Sequence, residues 1–103
     1  MNRGEVWRVD TAIGRSFPAI LIGNNVLTEV YQRTQIIPIR PAEESLATLV
    51  TVRLRSPVEG VAVVADTSPL KTERLTELLG TLSLEQLGEI EVALRAVFDL
   101  PPT

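Results

Sequence analysis

Apolar and polar positions divide the chain into short strand-like runs followed by one long helical stripe. Glu5–Asp10 alternates imperfectly, with Val6 and Val9 separated by Trp7 and Arg8, and predicts a strand. Thr11–Ser16 reads as a loop. Pro18 then opens a four-residue apolar run, Ala19–Ile22, which the turn residues Gly23, Asn24 and Asn25 close, as in a short buried central strand. Val26–Thr34 is polar and irregular, and Gln35–Pro41 predicts the next strand, with Pro38 putting it at a sheet edge or bulge. Pro41–Ser45 is a loop carrying the acidic pair Glu43 and Glu44. From Leu49 to Arg55 the alternation is the clearest in the chain: Val50, Val52 and Leu54 on one face, Thr51, Arg53 and Arg55 on the other. Ser56–Gly60 makes a turn, and Val61–Ala65 is a second buried strand. Five strands by residue 65 imply an all-β body.

The carboxyl-terminal pattern changes period. Leu87, Ile90, Leu94 and Val97 recur at three- and four-residue steps, Leu84, Ala93 and Phe98 widen the stripe, and Ser83 with Gln86 forms a capping box. These predict a helix over Leu84–Phe98 that stops before Pro101 and Pro102. By the same rules Ser68 and Pro69 are a cap and first turn for a second helix over Leu70–Leu79.

A chain of 103 residues is one domain with a single core, small enough that oligomerisation is a natural way to bury more surface. Its apolar runs are too short to span a membrane, the amino terminus does not read as a signal peptide, and a cytoplasmic address fits best. With no cysteine and no histidine, disulfides, thiolate metal sites, thiol nucleophiles and the usual neutral-pH acid and base are all absent. Any catalysis therefore draws on Arg, Lys, Tyr, carboxylates or hydroxyls. The net charge of −3 is uneven: residues 1–55 hold seven arginines against five acids, and residues 56–103 hold three basic residues against eight acids. The basic half suits a polyanion, although the whole is too acidic for strong nonspecific binding. Trp7, the only tryptophan, is expected to cover the core, and Arg15 stands in the loop where the central strand begins.

Arg3-Gly4-Glu5-Val6-Trp7, the Pro18–Asn25 run and turn, Ile36–Ile39, and Leu82-Ser83-Leu84-Glu85-Gln86-Leu87, taken in that order, resemble the PemK/MazF toxins of bacterial toxin–antitoxin pairs over nearly the full length. The resemblance implies a mainly β, SH3-like small barrel with a C-terminal helix. It also implies a symmetric homodimer, an antitoxin partner and metal-independent cleavage of single-stranded RNA at short sequences, with no cofactor. Under it, Thr72–Leu75 is only a short helical turn followed by a strand, against the helix expected over Leu70–Leu79.

The chain departs from the family pattern at the site itself. The family's catalytic arginine, immediately before the proline, is Phe17 here, with Arg15 two residues earlier. The slot of its catalytic threonine is Arg40, and its Gln-Ile-Arg-Thr stretch reads Asp66-Thr67-Ser68-Pro69. In extended chain, residues 15 and 17 point to one side about 6 to 7 Å apart. Arg15 and Arg40 are thus the candidate phosphate clamp, and Ser16, Glu43 or Glu44 the candidate proton acceptor. Asn24, Tyr31, Arg33, Arg53 and Arg55 are expected along the RNA path. A binding toxin of the CcdB kind is the alternative from another class, disfavoured because Asp99–Thr103 lacks that group's terminal Trp-Gly-Ile. A third is a catalytically inactive antitoxin-binding relative. The expected antitoxin segment is a disordered, acidic and apolar tail across the basic groove.

Overall fold

A computed structural model describes residues 2–23, 25–41 and 51–98. The elements in chain order are β1 (Glu5–Asp10), β2 (Ser16–Leu21), α1 (Asn25–Tyr31), β3 (Arg33–Arg40), β4 (Thr51–Leu54), β5 (Gly60–Val63), β6 (Ser68–Lys71), β7 (Leu75–Thr81) and α2 (Leu84–Phe98). Two 3-10 turns, Val64–Asp66 and Thr72–Arg74, join β5 to β6 and β6 to β7. The strands form one antiparallel sheet in the order β4-β5-β3-β2-β1-β7, and β6 adds to β3 beside β5. The result is a mainly β, SH3-like small barrel with a C-terminal helix.

Alternation along β2 and β3 sends apolar side chains to both faces of the sheet, which is why Ala19, Ile20 and Leu21 are all buried. Ile20, Ile37 and Ile39 join Val6, Val52, Leu54, Ala62 and Val64 in a cluster closed by Ile90 and Ala93 of α2. On the other face Ala19, Leu21 and Ile36 meet Val9 and Leu75, with Trp7, Phe17 and Leu70 partly buried around them. Trp7 thus covers a core, and its indole N–H donates to Glu5 Oε1 at 3.1 Å.

Helix α2 has the expected bounds, and the Gln86 amide donates to Ser83 Oγ at 3.1 Å, the backbone half of the capping box. The helix expected over Leu70–Leu79 does not form. Leu70 and Lys71 end β6 against Thr34 and Arg33, Thr72–Arg74 make one 3-10 turn, and β7 pairs with β1. Cross-strand pairing outweighs the local cap signal of Ser68-Pro69. Conversely, the stretch read as irregular contains α1. Its Val26 and Val30 face outward while Thr28 is buried, so its polarity is inverted with respect to the core and gives no apolar stripe. Gln32, at φ 54°, ends that helix by donating its amide to Thr28 O at 2.8 Å, and the chain reverses into β3.

β3 is not the sheet edge that Pro38 suggested. The Ile22 amide donates to Gln35 O at 3.0 Å, so residues 35 and 37 present their N–H and C=O groups to β2, and residues 36, 38 and 40 face the opposite edge. There Pro38 falls between the β6 ladder, which ends at Ile36, and the β5 ladder, which begins at Ile39. The Val64–Asp66 turn occupies that gap, so the missing donor has no ladder partner to lose.

Candidate nucleic-acid interface

Arg15 and Arg40 stand at the same end of the sheet, at the start of β2 and the end of β3. Thr11, in the loop before β2, holds Arg15 in place: its amide donates to Arg15 O at 2.8 Å, and the Arg15 amide donates to Thr11 Oγ1 at 3.1 Å. These bonds extend the β1–β2 ladder one pair beyond Asp10 and Ser16. Alternation therefore puts the Arg15 side chain on the side of Phe17, Ala19 and Leu21. Arg40 alternates with Ile36 and Pro38, whose partners in β2 are Leu21 and Ala19, so it takes the same side. Ser16 alternates with Ile20 instead and lies opposite Asp10, on the other face from the two arginines.

Pro18 shapes the space between them. The Thr11–Arg15 bond directs residues 15, 17 and 19 toward β1, which turns the nitrogen of Pro18 toward β3. With no N–H to offer there, the β2–β3 ladder ends at Ala19 and Pro38, and the last residues of both strands are released from each other. Pro18 is the third residue of β2 rather than its first.

The freed end of β3 pairs with β5. Gly60 permits this approach, because a Cβ there would lie 2.7 Å from the Arg40 carbonyl oxygen and 2.8 Å from Ile39 Cγ2. Arg40 is paired with Val61, and Val61 on its other edge with Arg53 of β4. Residues paired in adjacent strands share a face, so Arg53 and Arg40 project to one side, two strand spacings or roughly 9 to 10 Å apart. Both side chains are exposed, and neither makes an ion pair among the described residues. Phe17 is half-buried on the same face, in the neighbouring strand, and adds an aromatic ring beside the cations.

Arg55 follows two residues after Arg53 and is exposed. Both border an open cleft of about 1000 Å³ between β4 and α2, whose far wall carries Glu85 and Glu89. Those carboxylates moderate the positive field on the β4 side of the row.

The remaining candidates are elsewhere. Tyr31 and Arg33 flank the turn at the opposite end of β3, seven residues and roughly 23 Å of strand from Arg40. They line a separate cavity of about 590 Å³ together with Gly23, Thr28, Thr34, Gln35 and Pro69. Asn24, Glu43 and Glu44 lie outside the described residues. Among the described residues no group of three His, Cys, Asp or Glu side chains is arranged to hold a metal ion, and no helix is long and apolar enough to cross a membrane.

The fold is thus a seven-stranded antiparallel small barrel with a C-terminal helix, and Arg15 and Arg40 stand at one end of its sheet. The chain belongs to the family of PemK-like, MazF-like toxins of type II toxin–antitoxin systems, whose profile it matches over residues 2–98. Among solved structures it is similar to an endoribonuclease in complex with its cognate antitoxin from a mycobacterial species. The TM-score is 0.86 at 21% identity, over 100% of this chain and 99% of that one. It is also similar to MazF in a MazE–MazF complex from Deinococcus radiodurans, with a TM-score of 0.84 at 18% identity over 98% and 97% of the two chains. Against the Mycobacterium tuberculosis toxin MazF-mt6 the TM-score is 0.79 at 15% identity, over 94% and 98%. At such identities the likeness speaks to the fold. No curated protein matches the chain significantly.

Proposed function

We propose that this chain is the toxin of a toxin–antitoxin pair and acts as a metal-independent, sequence-specific endoribonuclease on single-stranded RNA, working in the cytoplasm as a homodimer that a cognate antitoxin holds silent. The observation that carries the reading is the row Arg53–Val61–Arg40, with Arg15 on the same face beyond the point where Pro18 ends the ladder. Exposed guanidinium groups at that spacing suit adjacent phosphates, to which each offers charge-assisted bonds.

In the reaction the 2′-hydroxyl attacks the adjacent phosphorus and loses its proton to a base. The P–O5′ bond breaks, the 5′-oxygen takes up a proton, and the products end in a 2′,3′-cyclic phosphate and a 5′-hydroxyl. The protein supplies no nucleophile. Arg15 and Arg40 hold the phosphate and stabilise the charge that grows on its oxygens, and exclusion of alternative chain conformations contributes the remaining advantage. Glu43 or Glu44, shortly beyond Arg40 in the chain, takes the proton; Ser16 is a weaker candidate because it alternates to the other face.

The test is incubation of the purified protein with a long RNA in chelator. Fragments ending in cyclic phosphate, lost in Arg15→Ala and Arg40→Ala, are the expected result. Intact RNA with the parent protein would leave the binding toxin or the inactive antitoxin-binding relative as the better reading.

A further inference from the structure

The cavity at the far end of β3 has features that the cleavage row does not use. Two of its lining residues, Tyr31 and Arg33, stand on either side of Gln32, whose positive φ reverses the chain. Thr72 fixes that reversal, its amide donating to Gln32 O at 3.0 Å. Tyr31, the only tyrosine of the chain, borders the cavity and is 69% exposed. Thr34, buried, and Gln35 line the wall from successive positions of β3, and Pro69 lines it from β6. Gly23 allows the close floor, since a Cβ there would stand 2.5 Å from Thr34 Oγ1.

A second observation concerns charge. Arg33 is paired directly with Lys71 of β6, both are exposed, and neither makes an ion pair among the described residues. Like charges directly opposite each other in antiparallel strands repel. An anion between them removes that cost. The nearby acids Glu29 and Glu73 line a different cavity with Asn25, Thr28, Gln32 and Thr72.

We infer that this cavity is a nucleotide pocket for single-stranded RNA outside the cleaved step: Tyr31 stacks on a base, Thr34 and Gln35 read its edge, and Arg33 with Lys71 holds the adjoining phosphate. A ring, an amide, a hydroxyl and a cation pair are the parts with which unpaired bases are recognised. The volume of about 590 Å³ lies in the range of small-ligand sites. The separation from Arg40 falls within the several-nucleotide footprints that small barrels cover on single strands. The inference rests on the proposed function in that the same RNA reaches both places. It makes the pocket a determinant of which sequences are held, not of the chemistry.

Because the chain has one tyrosine, its ring resonances report on the pocket alone. Full-length protein is titrated with hexaribonucleotides of varied sequence and, separately, with each nucleoside 5′-monophosphate, while the ring signals and the amides of Gly23, Thr34 and Gln35 are followed. The expected result is an upfield ring shift with a hexamer, a loss of affinity of about fivefold or more in Tyr31→Ala, and recovery in Tyr31→Phe. A melting curve verifies that the Tyr31→Ala protein is folded. If hexamers bind and are cleaved while the ring stays unmoved and Tyr31→Ala binds like the parent, the pocket inference is overturned and the proposed function stands. A ring shift with a monophosphate but not with any hexamer overturns a strand-borne ligand in favour of a free nucleotide. No binding or cleavage of any RNA overturns both.

Discussion

Arg40 and Arg53 are both paired with Val61, one from each side, so two cations thirteen residues apart in the chain project from one face of the sheet. If they contact neighbouring phosphates, the substitutions separate by effect. Arg40→Ala, next to the reacting phosphate, lowers the cleavage rate by roughly 10²- to 10³-fold, the loss typical of removing one charge-stabilising donor. Arg53→Ala weakens binding with little change in the bound-state rate, and the slope of log affinity against log salt falls by about 0.7 for the lost contact. Single-turnover cleavage and binding at several salt concentrations measure the two effects.

Pro18 is expected to keep the site open. In Pro18→Ala the new amide faces the carbonyl of Ile39, the β2–β3 ladder gains a bond, and the released strand ends draw together. Cleavage should fall while the melting temperature stays the same or rises, and hydrogen exchange should find the new amide protected. A fast-exchanging amide with unchanged cleavage counts against this role.

Gly60 ties the fold to the site. An alanine side chain there has no room against the Arg40 carbonyl and Ile39, so β5 must move away from β3 and carry Val61 from its place beside Arg40. Gly60→Ala should cost about 1 to 3 kcal/mol in denaturant unfolding, as overpacking does. RNA binding should weaken in the protein that remains folded.

Ser83 caps the helix that closes the larger core cluster. Ser83→Ala should cost about 1 kcal/mol. For a domain of this size that corresponds to a fall in melting temperature of roughly 4 to 8 °C, with RNA binding retained.

Glu5 introduces a mild acid sensitivity. Burial pushes its carboxyl up, but the Asn2 amide and the Trp7 indole both donate to it, and the balance lies below the ordinary value of 4.5. A depressed folded-state value means that the stabilisation is present above 4.5 and is lost as pH falls through the lower folded value. Glu5→Gln should therefore flatten the fall in melting temperature as pH drops below 4.5.

Local chemistry made β1 and α2 readable from the chain: valines spaced along Glu5–Asp10, a serine cap, and an apolar stripe at helical period are all contained within one element. The reading failed where another element decides the outcome. Ser68 and Pro69 resemble a helix start, yet β3 offers an open edge that takes them as strand. α1 shows Thr28 to the interior and its valines to solvent, so periodicity had nothing to detect. The resemblance, which draws on whole-chain order, did indicate the short turn and strand after Lys71.

The candidate site divides in the same way. Arg15, Arg40, Arg53 and Arg55 were recognisable as residues with suitable chemistry, and Pro18 as a residue with special backbone properties. That Arg40 shares a row with Arg53, that Ser16 lies on the other face, and that Tyr31 and Arg33 belong to a distant cavity beside Lys71 follow from register. Sequence by itself determined the periods, the caps and the available functional groups, because these depend on neighbours a few bonds away. Only the tertiary structure decided which groups meet, because each cross-strand pairing is chosen by burial summed over a whole sheet, and a shift of one residue turns every side chain to the opposite face.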